Sequence, residues 1–489
     1  EFNYNSIIPT YLIFARKANN LRAEKAMLAF AAISFVAIIA IVVVLINLNV
    51  NTALTVFIGA VLACIVALSL RVSWKDTEKT IISTLADCSV TFLIVIMVGM
   101  LVGIWMAGGT VPALMYYGTK LISPAILLPL TFVLCCLTSI FTGTSFGAIA
   151  TMGLALVGVA STTSLPLPLV VGAIGSGSYF GDKMSPLSDT TNLAAGVSKV
   201  GLYDHVNSMC YTTIPASIVC LIMYTIFGFI YGGGSIDAER ANMICTTLSD
   251  NFNISILLIL PAILVLLVSV FRLPALLGMG LSVLVSIVFA LVFQHVNFID
   301  LLNYAYNGFS IDTGTFVDKM LNRGGIASMT ELLVIYILAS TMGAFINASG
   351  IMDVIAQKCL LKVIKNRFTL VLFTLLYGYI ITFATAGVQT VTIIVTAQTF
   401  EETYDELGVS RKVLSRSLED AGTLGCLLVP WGITAMYISS TLGVSNTEYI
   451  PYTWLVYAVP VFSLICAATG FGMWDKDEKP LWKKAAKKA

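Results

Sequence analysis

The stretch "GSYFGDKMSPLSDTTNLAAG", residues 177–196, sets Asp182, Lys183 and Asp189 around Pro186 inside an otherwise apolar part of the chain. A carboxylate at membrane depth costs ~2.5–3.5 kcal/mol on insertion scales, so it marks a functional site by default. Asp182 and Asp189 are seven residues apart, about two helical turns, and a continuous helix would put them on one face. Pro186 removes a backbone donor and crowds the preceding turn, which predicts a broken helix. Freed carbonyls, both carboxylates and the oxygens of Thr190, Thr191 and Asn192 then converge on one spot. Such an oxygen-rich, partly anionic and dehydrated site at Asp182 and Asp189 suits a hard cation. Proton and cation would compete there for the same carboxylate, which is the physical core of an ion/proton exchanger. A structural reading stands beside it: Asp182 and Lys183 pair with each other, and Asp189 caps the second half-helix.

A second segment, "LSRSLEDAGTLGCLLVPWGITAMY" from Leu414, also breaks at a proline, Pro430, and carries Glu419, Asp420 and Thr423 ahead of it. Its acids are either ligands of a second cation or proton site, or lie at a membrane mouth paired with Arg416. Two short polar tips, "FTGTSFG" and "FATAGVQT", bring Thr142, Thr144, Ser145, Thr385, Gln389 and Thr390 into reach of a substrate. Hydroxyl and glycine-rich tips expose backbone groups and suit a small ligand held between opposed segments; the same hydroxyls can serve packing alone. His205 and His295 are solitary and read as loop residues, with a proton relay as the weaker use of His205.

These residues need a membrane scaffold to position them. Of the 489 residues, 58% are hydrophobic and 11% charged, against roughly 45–50% and about 25% in soluble domains. Runs such as "AFAAISFVAIIAIVVVLI" approach the ~20 apolar residues a helix needs to cross a ~30 Å hydrocarbon core. The net charge of +1 and scattered basic residues give no nucleic-acid footprint. The cysteines fall mostly in apolar runs and read as small buried hydrophobes rather than a disulfide or zinc framework.

An offset of 240 to 247 residues brings two halves into register: Lys79 over Lys319, Gly103 over Gly343, Pro186 over Pro430, and "GVS" at Gly196 over "GVS" at Gly443. Each half reads as two plain helices, a third with a glycine break, a pair of short arms around a polar tip, a broken helix and a closing helix. The expected fold is an all-α polytopic membrane protein of two inverted repeats, residues 27–231 and 254–473, each with five crossings plus a re-entrant hairpin and a broken helix at the midplane. A cytoplasmic N-terminal segment 1–26, an external linker 232–253 and a cytoplasmic basic tail 474–489 complete it. The odd crossing count inverts the second half. With both termini cytoplasmic, Arg71, Lys75, Lys79, Lys199, Arg272, Lys358, Arg367, Arg411 and Lys412 all lie inside, and only Lys120, Arg240, Lys319 and Arg323 outside, as the positive-inside rule requires.

At the level of these motifs, together with "MVGMLVGIWMAGGTVPALMYYG", the chain resembles the NhaC-type sodium/proton antiporter family of the ion-transporter superfamily, over about residues 27–473. The resemblance implies a secondary transporter of the bacterial inner membrane that exchanges sodium for protons and needs no cofactor. It matches Asp182, Asp189, Thr190, Thr191 and Asn192 to the first family motif, and Glu419, Asp420, Gly422 and Thr423 to the second. Gly432 stands where the family often has an Asn. Some relatives carry malate and lactate or amino acids, so a sodium-coupled carrier of a small carboxylate or amino acid is the alternative. Related folds imply a homodimer with elevator-like movement, by analogy. An intramembrane aspartyl protease fits poorly, because "YFGD" lacks the Gly-x-Gly-Asp pattern of those enzymes.

Overall fold

The structure is a computed structural model that describes residues 21–482 apart from 49, 71, 122, 233–237, 272–273, 316 and 352–360. Most of the N-terminal segment, the start of the expected linker and the end of the basic tail lie outside the described residues. Helices α1 (Leu21–Asn47) and α2 (Thr52–Ser69) open the chain, followed by α3 (Trp74–Asp87), α4 (Ser89–Ala107) and α5 (Thr110–Leu121). The break between α4 and α5 falls at Gly108 and Gly109, where Gly109 has φ 78°, as the glycine-rich third segment led one to expect. Six helices are long and apolar enough to cross a membrane, or nine if three bent pairs each count as one span, among the described residues. The protein is an all-α polytopic membrane protein.

The faces of these helices explain the assignment. On α2, Leu54, Phe57, Val61, Ile65 and Leu68 are exposed at helical spacing, whereas Gly59, Ala60, Ala63 and Ala67 are buried. Large apolar residues facing outward and small ones inward is the membrane arrangement, since helices there associate by close packing.

Two pairs of arms meet polar tips: α6 (Pro124–Thr142) with α7 (Ser145–Ala160), and, further on, Arg367–Ala384 with Gln389–Glu406. The first arm of each pair has 19 and 18 residues, about 28 and 27 Å at 1.5 Å per residue. Both are long enough to cross, unlike the short arms of the expected re-entrant hairpins. The broken helix follows as α8 (Leu167–Met184) and α9 (Asp189–Val197), with Ser185 and Ser188 in extended backbone between them. α10 (Leu202–Gly232) closes the half.

α8 lies directly on α6, because Gly177 and Gly181 present no side chain to it. A Cβ at Gly177 would stand 2.5 Å from the Phe132 carbonyl oxygen and 2.8 Å from the Cys135 Cβ. Gly177→Val must therefore separate α6 from α8. The expected result is a loss of stability of ~1–3 kcal/mol or more, the cost of overpacking, read as a lowered melting temperature in detergent; an unchanged melting temperature would deny this contact.

The second half comprises α11 (Ala238–Asn251), α12 (Leu260–Val270), α13 (Ala275–Val292), α14 (Phe298–Asn307), α15 (Thr330–Ala348), α16 (Arg367–Ala384), α17 (Gln389–Glu406), α18 (Arg411–Leu418), α19 (Ile433–Leu442) and α20 (Trp454–Thr469). A π turn, Glu419–Thr423, and a 3-10 turn, Gly425–Leu428, extend α18 before a bend of 50° into α19. Three features depart from expectation. The linker region holds α11, whose Ile244 and Leu248 are buried; its polar face hid it among linker residues. α3 was missed for the same reason, since only part of it is apolar. The start of the basic tail docks: Ser410 N donates to the Trp474 oxygen at 3.0 Å, and Lys412 bridges Asp204 and Glu478 at 3.0 and 2.6 Å.

Candidate functional site

The first tip turns at Gly143, φ 68°, a left-handed conformation that glycine adopts at little steric cost. The chain then enters α7 at Ser145, whose hydroxyl donates to Asp182 Oδ2 at 2.7 Å. Asp182 sits in the last turn of α8. Beyond the break, the Ser188 hydroxyl donates to Asp182 Oδ1 at 2.7 Å and lies 3.0 Å from the Thr190 hydroxyl. The Asp182 carboxylate, 6% exposed, thus faces neutral hydroxyls from α7, the break and α9, at the negative end of a half-helix that favours a cation.

The break is held by its own polar groups. Thr191 Oγ1 donates to the carbonyls of Asp182 and Lys183 at 3.1 and 3.0 Å, and Asn192 Nδ2 to those of Pro186 and Ser188 at 2.9 and 2.8 Å. The Asp182 and Lys183 carbonyls are among the helix-end carbonyls that lack a partner when a helix stops. Thr191→Val leaves two buried carbonyls without this donor. It should lower stability by about 1–3 kcal/mol, measured as a shift in thermal unfolding midpoint against wild type; no shift would mean water or another donor replaces the hydroxyl.

Asp189 does not join this cluster: it is exposed at the first position of α9. The extended residues of the break rotate α9 away from the α8 face, so the common face of a continuous helix is lost. Lys183 does not pair with Asp182 either. Successive residues on a helix point about 100° apart and do not face each other. The Lys183 ammonium instead reaches across the molecule to Asp420 Oδ1 at 2.5 Å, with both side chains fully buried. Ser463 of α20 donates to the other oxygen, Asp420 Oδ2. Ser188 and Ser463 were missed by sequence reasoning; the available signal for Ser463 is a hydroxyl in the middle of an apolar helix.

Glu419 and Asp420 open the π turn, a widened turn frequent at functional sites. A second such turn, Ile149–Gly153, follows the first tip. Arg416 was a candidate partner for these acids, but it is fully buried and donates to the carbonyls of Ser208 and Gly472 at 3.3 and 2.9 Å. Neither carboxyl oxygen of Glu419 has a hydrogen-bond partner among the described residues, nor has the Thr423 hydroxyl. His205, read as a loop residue, is buried in the first turns of α10; its Nδ1 lies 2.8 Å from the Ser415 hydroxyl, and Nε2 has no hydrogen-bond partner among the described residues. His295 is exposed.

The second tip repeats the contact of the first with different chemistry. Gln389, at the start of α17, donates to Cys426 Sγ at 3.2 Å, and the Thr434 hydroxyl donates to the same sulfur at 3.3 Å. Ser145 and Gln389, Asp182 and Cys426, Pro186 and Pro430, and Thr190 and Thr434 are each 244 residues apart. The second tip also accepts a backbone bond, Ile433 N to the Ala386 oxygen at 3.1 Å. Tyr179 of α8 and Thr434 of α19 meet at 2.8 Å, and Tyr437 donates to the Phe146 oxygen at 2.8 Å, so both tips and both broken helices converge. Other tip hydroxyls turn inward on their own backbone: Thr142 on the Thr144 oxygen and Thr385 on the Ile381 oxygen. Thr144 and Thr390 are half-buried, and neither hydroxyl has a contact that joins it to the carboxylates.

A model of the Na+/H+ antiporter family matches residues 177–471. A malate-2H(+)/Na(+)-lactate antiporter of Bacillus subtilis is 36% identical over 441 residues, 90% of this chain and 93% of that protein. The Na(+)/H(+) antiporter NhaC of Alkalihalophilus pseudofirmus is 32% identical over 453 residues, 92% of this chain and 97% of that protein. An arginine/ornithine antiporter, ArcD, of Halobacterium salinarum is 31% identical over 408 residues, covering 83% and 84%. With the matched region spanning both broken helices and the second pair of arms, the chain belongs to the Na+/H+ antiporter family and is a secondary transporter, not an enzyme.

Proposed function

We propose that the protein exchanges sodium for protons across a bacterial inner membrane, with Asp182 as the carboxylate that holds either ion in turn. The observation that carries this reading is the setting of Asp182: a buried carboxylate at a half-helix C-terminus whose hydrogen bonds come from neutral groups, the Ser145 and Ser188 hydroxyls among them. One negative charge with the oxygens of Ser145, Ser188 and Thr190 suits a monovalent hard cation. When the ion leaves, a proton must take its place or the bare charge is stranded at membrane depth, so binding of the two is mutually exclusive. Asp189, Asn192, Thr142, Thr385 and Thr390 take no direct part in this site; Thr191 positions it.

The two halves are read as repeats, supported by the constant separation of 244 residues between corresponding contacts, and as inverted ones if each half crosses an odd number of times. Both termini then face the cytoplasm. The test is a proteoliposome assay: an imposed sodium gradient should drive proton movement in the opposite sense, read by an internal pH dye. Absence of sodium-driven proton movement would overturn the reading.

A second reading, sodium-coupled movement of a small carboxylate or amino acid, is favoured by one observation. Where the first half has Asp182, the second has uncharged Cys426 with donors from Gln389 and Thr434, which removes the repulsion a second carboxylate would impose on an anion. Adding malate, lactate and arginine in turn to the same assay separates the readings, since only the second requires solute for ion flux.

A further inference from the structure

Three fully or nearly fully buried carboxylates lie along the broken helices, each in a different setting. Asp182 meets hydroxyls, Glu419 has no hydrogen-bond partner among the described residues, and Asp420 is held by the Lys183 ammonium and the Ser463 hydroxyl. Arg416, the other fully buried cation of this region, gives donors to backbone carbonyls. Lys183 is thus the buried cation seated directly on a carboxylate, and it follows Asp182 in sequence while pointing the other way. Its ammonium and a sodium ion carry the same charge, and both seek oxygen atoms.

From this arrangement we infer that Lys183 is a tethered cation: its ammonium fills, at Asp420 and Ser463, the place a second sodium ion would otherwise take. Cargo is thereby fixed at one sodium per cycle, and Lys183 acts as a specificity-determining residue. The inference rests on the reading that Asp182 holds the transported sodium. It makes chemical sense of the 2.5 Å contact between Lys183 and Asp420: a carboxylate left alone in a buried site is strongly destabilising, and either a tethered or a free cation relieves it. Truncating the lysine removes the tethered charge and opens the volume of its stem, while both oxygens of Asp420 and the Ser463 hydroxyl remain.

The experiment is equilibrium binding of radioactive sodium to purified protein, with melting temperature followed against sodium at constant ionic strength, choline replacing sodium. Wild type should bind one ion per chain. Lys183→Ala should bind two, and its melting temperature should rise about twice as steeply with the logarithm of sodium concentration, because each ion bound by the folded state alone adds one unit to that slope. Lys183→Ala should also be recovered folded from sodium buffer in preference to choline. One ion bound by Lys183→Ala overturns the inference. So does a variant that is lost equally in sodium and choline, since sodium would then be unable to stand in for the ammonium. Asp182→Asn in the wild-type background tests the underlying reading separately: it should bind sodium at least roughly 30-fold more weakly, and one ion retained at wild-type affinity would remove Asp182 from the cargo site whatever Lys183→Ala does.

Discussion

Asp182→Asn should abolish sodium-driven proton movement in proteoliposomes while leaving the protein folded. The amide is nearly isosteric: its oxygen can keep one of the two serine hydroxyls that Asp182 accepts on separate oxygens, and its NH2 can donate to the other once that hydroxyl turns, so the fold loses little; what disappears is the charge and the titratable proton. Removing one member of a buried charged contact costs 2–5 kcal/mol, which at 1.4 kcal/mol per decade is roughly a 30- to 4,000-fold loss of sodium affinity. Proton exchange ends altogether, because an amide has nothing to protonate in this range. Asp189→Asn supplies the contrast: an exposed group away from this cluster should change transport by no more than about 0.5 kcal/mol, roughly twofold. The wild-type pH dependence follows with a definite sign. Protonation removes the sodium site, so half-saturating sodium should rise about tenfold per pH unit below the protonation midpoint of the carboxyl and level off above it. Equal losses in Asp182→Asn and Asp189→Asn, or a sodium requirement that does not change with pH, would refute the assignment.

What the sequence made legible, and what it hid, divides along physical lines. The break at Pro186 was readable because proline and carboxylates in an apolar run each carry a large local cost, so their joint presence demands a local cause. The first tip was readable from its hydroxyls and glycines in an apolar run, and Ser145 there donates to Asp182. The direction of a side chain from a helix toward a distant partner was not. Lys183 stands next to Asp182 in sequence, yet its partner lies 237 residues away, chosen by which helix packs on that face of α8. The exposure of Asp189 follows from the rotation of α9, set by two extended residues that no periodicity reveals. Arg416 looked like the natural partner of Glu419 and Asp420 at helical spacing, but the π turn begins just after it and the register changes. His205 shows the converse case: a lone histidine near a helix start gave no sign that α10 begins earlier and buries it. α3 and α11 escaped because a search tuned to long apolar runs passes over amphipathic helices.

In sodium-free buffer, Lys183→Met and Asp420→Asn should each destabilise the protein markedly, and the double variant should recover much of the loss. The pair joins α8 to the π turn after α18, and Ser463 extends the link to α20. Breaking a buried ion pair by removing one partner costs about 3–5 kcal/mol, because the remaining charge stays buried without compensation. Replacing both partners removes that stranded charge, and the asparagine can still accept from Ser463 while methionine fills the stem volume of the lysine. Thermal unfolding of the four proteins gives the cycle, with a coupling energy expected at or above the upper end of the 0.5–3 kcal/mol seen for residues in contact. Additive losses would mean that neither charge depends on the other for compensation, and would deny that this ion pair locks the two broken helices together. With strong coupling, α8 and α18 cannot part without exposing or stranding a charge. Any movement that carries Asp182 from one side of the membrane to the other must then take both broken helices as one body, and the arms that supply Ser145 and Gln389 become the surfaces that travel with them.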